Sequence, residues 1–191
     1  MHGLKELQEG TMKKTIFTFI MSLVSMALFA QAEPEFEMEP YVFNSADSTF
    51  EAALPCESAY IKAKAGASMY LTGIGKIKAY YYIKGASSSL AIDKNVSNII
   101  INTGGSSPQQ TLSIIKLECV SSKRRWKTSE IGTFTGASTN EDASVVMNYK
   151  KYGENSVIIS TVNLEPGEYC LAITNMMTNI KSAKVYTFSI K

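Results

Sequence analysis

The sequence predicts an all-β protein, an antiparallel immunoglobulin-like β-sandwich of about nine strands in one domain of residues 33–191. After residue 32 no stretch sustains a helical apolar period. Short runs rich in β-branched and aromatic residues recur instead, separated by clusters of Gly, Ser, Asn and Pro. Strands at this spacing, without helices between them, are typical of a two-layer antiparallel sandwich.

The first strand candidates are residues 36–43, 59–65 and 68–72. A strand in the segment EPEFEMEP is expected at a sheet edge, because Pro34 and Pro40 cannot donate a ladder hydrogen bond. The same segment could also be a linker that precedes the first strand.

The run KIKAYYYIK, 76–84, predicts a half-buried strand because apolar and polar residues alternate. Tyr81 shares one face with Ile83, and Tyr80 and Tyr82 share the other face with lysines. The apolar run SNIIINT predicts a central strand. In TLSIIKLECV one face carries Ile115, Leu117 and Cys119. The runs SVIISTVNL, GEYCLAIT and KVYTFSI complete the strands, and the polar segment 135–144 predicts a loop that could contain one helical turn.

The amino-terminal segment predicts export. Two lysines are followed by the apolar run 16–30 and by Ala30-Gln31-Ala32, the pattern of a secretory signal with a small-residue cleavage site. Translation is expected to start at Met12, since residues 1–11 do not fit a signal. The cleavage region contains no cysteine, so we expect a periplasmic or extracellular protein that is not a lipoprotein. No integral membrane span is expected once residues 1–32 are removed.

The remaining residues, 33–191, carry almost no net charge. They hold 16 of the 19 basic and 15 of the 17 acidic residues, which predicts no bulk attraction to nucleic acid or to anionic lipid. The only histidine, His2, precedes the signal. The mature chain therefore lacks the imidazole on which Ser-His-Asp, Cys-His and histidine-containing zinc sites depend.

The three cysteines are Cys56, Cys119 and Cys170, and none belongs to a C-x-x-C pair. One disulfide with one free thiol is compatible with export. Three small buried side chains are the interpretation we favour, because a domain of this size builds its core without cross-links.

Two segments suggest a binding surface. The run KRRWK places Arg124 and Arg125 beside Trp126, which could form an anion-binding or sugar-stacking patch. Tyr80 and Tyr82 are expected to face outward and could bind a glycan or a protein. The alternatives are an edge strand protected by its charges and ordinary cross-strand neighbours.

The acidic residues show no catalytic pattern. The carboxylates include Asp93, Glu141, Asp142 and Glu154, which are scattered and match neither a glycosidase motif nor a calcium loop. Residues 102–110 lack the Gly-Lys-Ser/Thr of a phosphate loop and predict a turn. We expect no catalytic residue, no metal site and no cofactor.

Several segments between residues 76 and 191 occur in a recognisable order: GASSSLAI, NIIIN, SIIKLECVSSKRR, KKYGENSVIIS, LEPGEYCLAI and VYTFSI. This order resembles a group of small exported β-domain proteins from Bacteroides-type bacteria. The chain departs from that group at Ser107-Pro108, where an acidic residue often precedes the proline. The resemblance implies an exported β-domain and supplies no activity, cofactor or catalytic residue.

The segment LEPGEY also resembles the tyrosine corner of immunoglobulin-like and fibronectin-type sandwiches. Leu164 would anchor the incoming strand, Gly167 would supply a positive φ, and Tyr169 would hydrogen-bond backward across the corner. Glu165 and Glu168 are expected to face solvent, and Cys170 to face away from Tyr169.

The predicted function is that of an exported, non-catalytic binding or assembly module of the bacterial envelope. Its surface would lie around Tyr80, Tyr82, Arg124, Arg125 and Trp126, and its partner would be an envelope protein or a glycan rather than nucleic acid. The alternatives are a carbohydrate-binding module and a hydrolase that uses carboxylates or a Ser-Lys pair.

Overall fold

Fourteen strands and two short helices form the described part of this computed structural model, residues 32–139, 143–174 and 182–191. Residues 1–31 of the predicted signal segment lie outside it, and a compact unit spans Glu33–Lys191. The elements in chain order are β1 (Pro40–Asn44), β2 (Thr49–Ala53), β3 (Cys56–Ala65), α1 (Ala67–Thr72), β4 (Lys76–Lys84), β5 (Ala91–Ile92), β6 (Ser97–Asn102), α2 (Pro108–Thr111), β7 (Leu112–Val120), β8 (Lys123–Gly132), β9 (Gly136–Thr139), β10 (Ser144–Val145), β11 (Tyr149–Tyr152), β12 (Ser156–Ile159), β13 (Gly167–Ile173) and β14 (Ser182–Ile190).

The first sheet has five antiparallel strands in the order β11-β12-β6-β1-β2. Its middle strand is β6, which confirms the central strand predicted from SNIIINT. The edge position expected for the first strand is wrong, since β1 lies between β6 and β2. Pro40 is tolerated there because it is the first residue of the strand.

The second sheet closes on itself. Each strand of the series β7-β13-β14-β3-β4-β8 pairs antiparallel with the next, and β8 pairs back to β7. Short strands add to this ring: β10 pairs with β7, β9 with β8, and β5 runs parallel to the end of β14. The six-stranded ring is a small barrel, whose interior is narrow enough for side chains to fill.

Strands β7, β13 and β14 belong to the barrel wall, and most of β13 and parts of β7 and β14 are buried on both faces. Tyr169, Leu171 and Ile173 of β13 pack in the larger core with residues of the first sheet. Cys170 and Ala172 alternate with them and pack in a second core inside the barrel. The protein is therefore an all-β, two-layer arrangement in which the first sheet covers one side of the barrel.

Two predicted elements differ from the structure. Residues 68–72, predicted as a strand, lie in helix α1, which ends at Gly73 with a left-handed φ of 71°. Segment 135–144, predicted as a loop, contains β9 and the first residue of β10; residues 140–142 of it lie outside the described part. Glycines flank α1 on both sides, and a turn of helix between glycines has no periodic signature.

The corner before β13 has the predicted hydrogen bond. The Tyr169 hydroxyl donates to the Glu165 carbonyl at 2.8 Å, and Gly167 has a φ of 151°. Glu165 is exposed as expected, but the expectation for Glu168 is wrong, since its side chain is 11% exposed. Residues 168 and 170 are two positions apart in β13, so their side chains lie on the same face of the strand. That face points into the barrel, where Cys170 packs.

No disulfide forms among the three cysteines, all of which the structure describes. Cys56 and Cys119 are exposed and Cys170 is buried, so the favoured interpretation of three buried side chains holds only for Cys170. No helix of the described residues is long and apolar enough to cross a membrane.

Candidate functional site

The outer faces of three neighbouring barrel strands, β3, β4 and β8, carry a concentration of positive charge. Successive side chains of a strand point to opposite faces, so every second residue faces outward, apart from one irregularity in β8 between Lys127 and Ser129. The basic and tyrosine side chains among these outward residues define a surface that we call the basic face. It consists of Lys62, Lys64, Lys76, Lys78, Lys84, Lys123, Arg125 and Lys127, together with Tyr60, Tyr80 and Tyr82.

Strand register sets these side chains in rows across the face. Tyr60 pairs with Tyr82, and Tyr82 with Arg125. Lys84 stands directly opposite Lys123, and Lys64 opposite Lys78. Like charges directly opposite each other destabilise a sheet. Lys84 and Lys123 place two positive charges side by side on this face.

Carboxylates neutralise only part of the basic face. Glu130 contacts Lys76 at 2.5 Å, Lys127 at 3.4 Å and Lys78 at 3.7 Å. Glu118 of β7 forms a bidentate pair with Arg125, with distances of 2.8 and 3.0 Å. Within the described residues, no carboxylate lies within 4.0 Å of the amino groups of Lys62, Lys64, Lys84 or Lys123.

These contacts lower the pKa of both carboxyl groups. The hydrogen bond from Arg125 holds the pKa of Glu118 below its ordinary value, and the hydrogen bond from Lys76 does the same for Glu130. The pKa of Arg125 is raised, first by Glu118 and then by Tyr82. Glu118, Glu130 and Arg125 are therefore charged at neutral pH.

The aromatic part of the face is held in place by Arg125. Its guanidinium carbon lies 4.4 Å from the centroid of the Tyr80 ring, and its Nη1 donates to the Tyr82 hydroxyl at 3.5 Å. The rings of Tyr80 and Tyr82 are 6.1 Å apart. A cation over a ring face stabilises both groups, so these tyrosines are positioned before any ligand binds.

Two open hollows lie on the basic face. One of 420 Å³ is lined by Tyr60, Lys62, Tyr82, Ile83, Lys84 and Lys123. The other, of 500 Å³, includes Lys64, Lys76, Lys78, Tyr80 and Arg125 in its lining. Each hollow combines several cations with at least one tyrosine, the combination expected of a site for an anionic ligand with flat, partly apolar rings.

The structure divides the five predicted binding residues between two environments. Tyr80, Tyr82 and Arg125 lie together on the basic face. Arg124 and Trp126 are 1% and 5% exposed and point into the barrel, so neither forms part of an exposed platform. KRRWK is a strand segment, and its neighbouring side chains therefore point in opposite directions.

Inside the barrel, Arg124 is the centre of a polar cluster. Its Nη2 donates to both oxygens of Glu57 at 2.9 Å and to the Lys84 carbonyl at 3.0 Å, and its Nε donates to the Gly85 carbonyl at 3.2 Å. Its Nη1 lies 3.7 Å from Glu168 and, within the described residues, has no hydrogen-bond partner.

The two carboxylates of this cluster are occupied. Glu57 also accepts a hydrogen bond from the Thr187 hydroxyl, and Glu168 accepts from the Ser88 amide at 2.7 Å and the Ser189 hydroxyl at 2.6 Å. All four carboxylate oxygens therefore accept hydrogen bonds from the protein. A general acid or nucleophile needs a free oxygen that faces substrate, so the cluster has the features of a buried ion pair that orders the barrel end.

Neither Cys119 nor Cys170 is an activated nucleophile. Partial desolvation raises the pKa of the Cys119 thiol, although the residue is exposed, and Glu168 raises it further. Burial also raises the pKa of Cys170 strongly. A raised pKa keeps a cysteine protonated and unreactive. The described residues also contain no group of three His, Cys, Asp or Glu side chains arranged to hold a metal ion.

Sequence reasoning placed the β4 lysines on one face with Tyr80 and Tyr82, but it missed the lysines of β3 and did not predict that the strands form one basic surface. The signal was present: lysines recur at every second position in YIKAKA and at the start of KIKAYYYIK. The basic face is found when charge is summed along one face of each predicted strand, whereas the sum over the whole chain is nearly zero. Comparison with protein-family models, curated proteins and solved structures finds no match to this chain.

Proposed function

We propose that this protein is an exported, non-catalytic binding module whose basic face holds an anionic glycan. The observation that carries the proposal is the opposed pair Lys84 and Lys123, which has no carboxylate partner within the described residues and lines a hollow with Tyr60 and Tyr82. A carboxylated or sulfated sugar would place its charge between the two amino groups.

The tyrosines favour a glycan over a simple anion. Tyr60 is partly exposed and stands beside Tyr82 across the strand pair. The apolar faces of sugar rings pack against aromatic side chains, while tyrosine hydroxyls remain available to polar groups. Export, predicted from residues 1–32, would bring the face into contact with extracellular and envelope polysaccharides.

Charge segregation supports the same proposal. Residues 33–55 contain six acidic residues and no basic residue. The near-zero net charge of the mature chain therefore hides a strongly basic barrel face. A local field of this kind attracts and orients a charged polymer even when the whole molecule is nearly neutral.

Calorimetric titration with soluble polysaccharides tests the proposal. The full chain is expressed in a Gram-negative host, and its exported form is titrated with polygalacturonate, dextran sulfate and neutral dextran. We expect both anionic polymers to bind and dextran not to bind, with affinity falling as salt screens the lysines. Binding of dextran alone, or of none of the three, would contradict the proposal.

A matched pair of variants locates the site. Lys84→Glu/Lys123→Glu should weaken binding by about tenfold or more, equivalent to roughly 1.4 kcal/mol. Lys150→Glu/Lys151→Glu changes the net charge equally at exposed positions of β11 in the first sheet and should leave affinity unchanged. A single-stranded DNA competitor that binds more tightly than either polysaccharide would assign the face to nucleic acid instead.

We also propose that β12, β13 and β14 correspond to the E, F and G strands of an immunoglobulin-like sandwich. The corner hydrogen bond of Tyr169 supports this, as does the change of sheet between β12 and β13. An experimental structure with β12 and β13 in one sheet would contradict it.

A further inference from the structure

One end of the barrel exposes large apolar side chains on two neighbouring turns. The first turn is helix α1 between β3 and β4, and the second joins β8 to β9. Hydrogen bonds join them: the Thr133 amide donates to the Gly75 carbonyl at 3.0 Å, and the Gly75 amide donates to the Thr133 hydroxyl at 3.1 Å. The two turns therefore form a single surface, which we call the apolar tip.

The apolar side chains of the tip are mostly in water. Leu71, Phe134 and Tyr70 are 85%, 82% and 78% exposed, and Ile74 and Ile131 are about half exposed. Helix α1 has no buried residue. These side chains therefore contribute little to the core, and a cluster of such residues at one end of a protein is typical of an interaction site.

The basic face ends at the apolar tip. The hollow lined by Lys64, Lys76 and Lys78 also includes Gly66, Ser68 and Gly75 of the α1 turn. Helix α1 carries no acidic residue in its first turn. Lys76 and Lys78 share one carboxylate, Glu130, and Lys64 has no carboxylate partner within the described residues, so three lysines against one glutamate leave the edge of the tip positively charged. These surroundings complement a surface that is apolar in its interior and negatively charged at its boundary.

We propose that the apolar tip inserts into the surface of an anionic lipid bilayer, with Leu71 and Phe134 among the acyl chains and Lys64, Lys76 and Lys78 at the headgroups. Apolar residues that enter the interface and lysines that contact anionic lipid are the two components of reversible membrane binding. The inference does not depend on the proposed glycan function, since the hollow beside Lys84 and Lys123 lies further along the strands and remains accessible.

A second copy of the chain is a poorer occupant of the tip. A symmetric dimer would bring the same patch of both copies together. Lys64, Lys76 and Lys78 of the two copies would then approach one another, and like charges at an interface oppose association. An anionic bilayer pairs the same lysines with opposite charge.

Vesicle sedimentation tests the inference. The exported form of the full chain is mixed with vesicles of phosphatidylcholine and with vesicles of equimolar phosphatidylcholine and phosphatidylglycerol. We expect it to sediment with the second kind only. Equal binding to both kinds, or binding to neither, would overturn the inference.

Two double variants separate the tip from general apolar exposure. Leu71→Ser/Phe134→Ser should lower the affinity for anionic vesicles by roughly tenfold or more, because it removes the two most exposed apolar side chains of the tip. Val146→Ser/Val162→Ser removes exposed apolar side chains elsewhere and should bind as the wild type does. Equal binding by both variants would overturn the inference.

Fluorescence gives an independent readout. Trp126 is buried, so Phe134→Trp adds the only exposed indole, and its emission should shift to the blue when anionic vesicles are added. No shift would place the tip outside the bilayer.

Light scattering tests self-association. A dimer of the wild type that is lost in Leu71→Ser/Phe134→Ser would assign the tip to self-association. If the glycan proposal is correct, Leu71→Ser/Phe134→Ser still binds polygalacturonate as the wild type does. Loss of vesicle binding and loss of polygalacturonate binding therefore test the two proposals independently.

Discussion

The two faces of strand β8 carry similar residues and experience opposite environments. Lys123, Arg125 and Lys127 face outward, where two carboxylates neutralise part of their charge. Arg124 faces inward at 1% exposure and is held by Glu57 and Glu168. A cation inside a barrel is tolerated only with paired and hydrogen-bonded partners, whereas outward cations remain available to a ligand. One run of basic residues therefore serves both the stability of the barrel and its surface charge.

The largest expected effect follows from removing the inward cation. Arg124→Met leaves Glu57 and Glu168 without their counter-charge, and we expect the free energy of unfolding to fall by about 3–5 kcal/mol. Urea unfolding followed by circular dichroism measures it. Arg125→Met is the matched control on the neighbouring residue and should change stability by no more than about 1 kcal/mol.

A smaller loss for Arg124→Met than for Arg125→Met would show that the contrast between the two faces is wrong. The double variant Arg124→Met/Glu57→Gln sharpens the test. It removes one of the orphaned carboxylates and should recover part of the stability lost in Arg124→Met.

Disruption of the corner formed by Tyr169 and Glu165 is expected to have an intermediate effect on stability. Tyr169→Phe removes the hydrogen bond to the Glu165 carbonyl and should lower the free energy of unfolding by about 1–2 kcal/mol. Tyr149→Phe is the control, since Tyr149 is exposed and its hydroxyl makes no hydrogen bond within the part of the chain that the structure describes. Urea unfolding followed by circular dichroism measures both variants. Equal unfolding midpoints for the two would show that the corner hydrogen bond does not stabilise the protein.

The ion pair between Arg125 and Glu118, on the outward side of β8, should contribute least to the stability of the protein, and its contribution depends on pH. Arg125 lowers the folded pKa of Glu118, so the pair stabilises the protein above the unfolded pKa of that carboxyl. The stabilisation disappears as the pH falls through the folded pKa. Because the Glu118 side chain is mostly exposed, we expect only a few tenths of a kcal/mol.

Thermal unfolding of the wild type and Glu118→Gln between about pH 7 and pH 3 measures this contribution. The two melting temperatures should differ at neutral pH and converge in acid. A difference that stays constant over this range would show that the pair contributes nothing through its charge.

Alternation within a strand was the most reliable guide from sequence. It placed Tyr81 inside and Tyr80 and Tyr82 outside, as the structure does. The prediction that Arg124, Arg125 and Trp126 of KRRWK share one surface is wrong, since Arg124 and Trp126 are buried. They could not share it, because three successive residues of a strand never point the same way.

The number and arrangement of strands were less predictable. Strands of two to four residues, such as β5, β9 and β10, are too short to show a period. The closure of the barrel depends on pairs such as β14 with β3, which are far apart in the chain. Helix α1 lies between Gly66 and Gly73 and presents an apolar surface that no pattern in the sequence distinguishes from a strand.

The sequence by itself determined the all-β character, the alternation along β4, the corner at Tyr169 and the absence of histidine after residue 2. These are local or compositional properties, which neighbouring residues decide. Only the tertiary structure decided that β3, β4 and β8 lie side by side and gather their lysines on one face. It also decided that Arg124 meets Glu57 and Glu168 inside the barrel. Strand pairing over long sequence separations depends on the whole core, so no single segment of the chain specifies it.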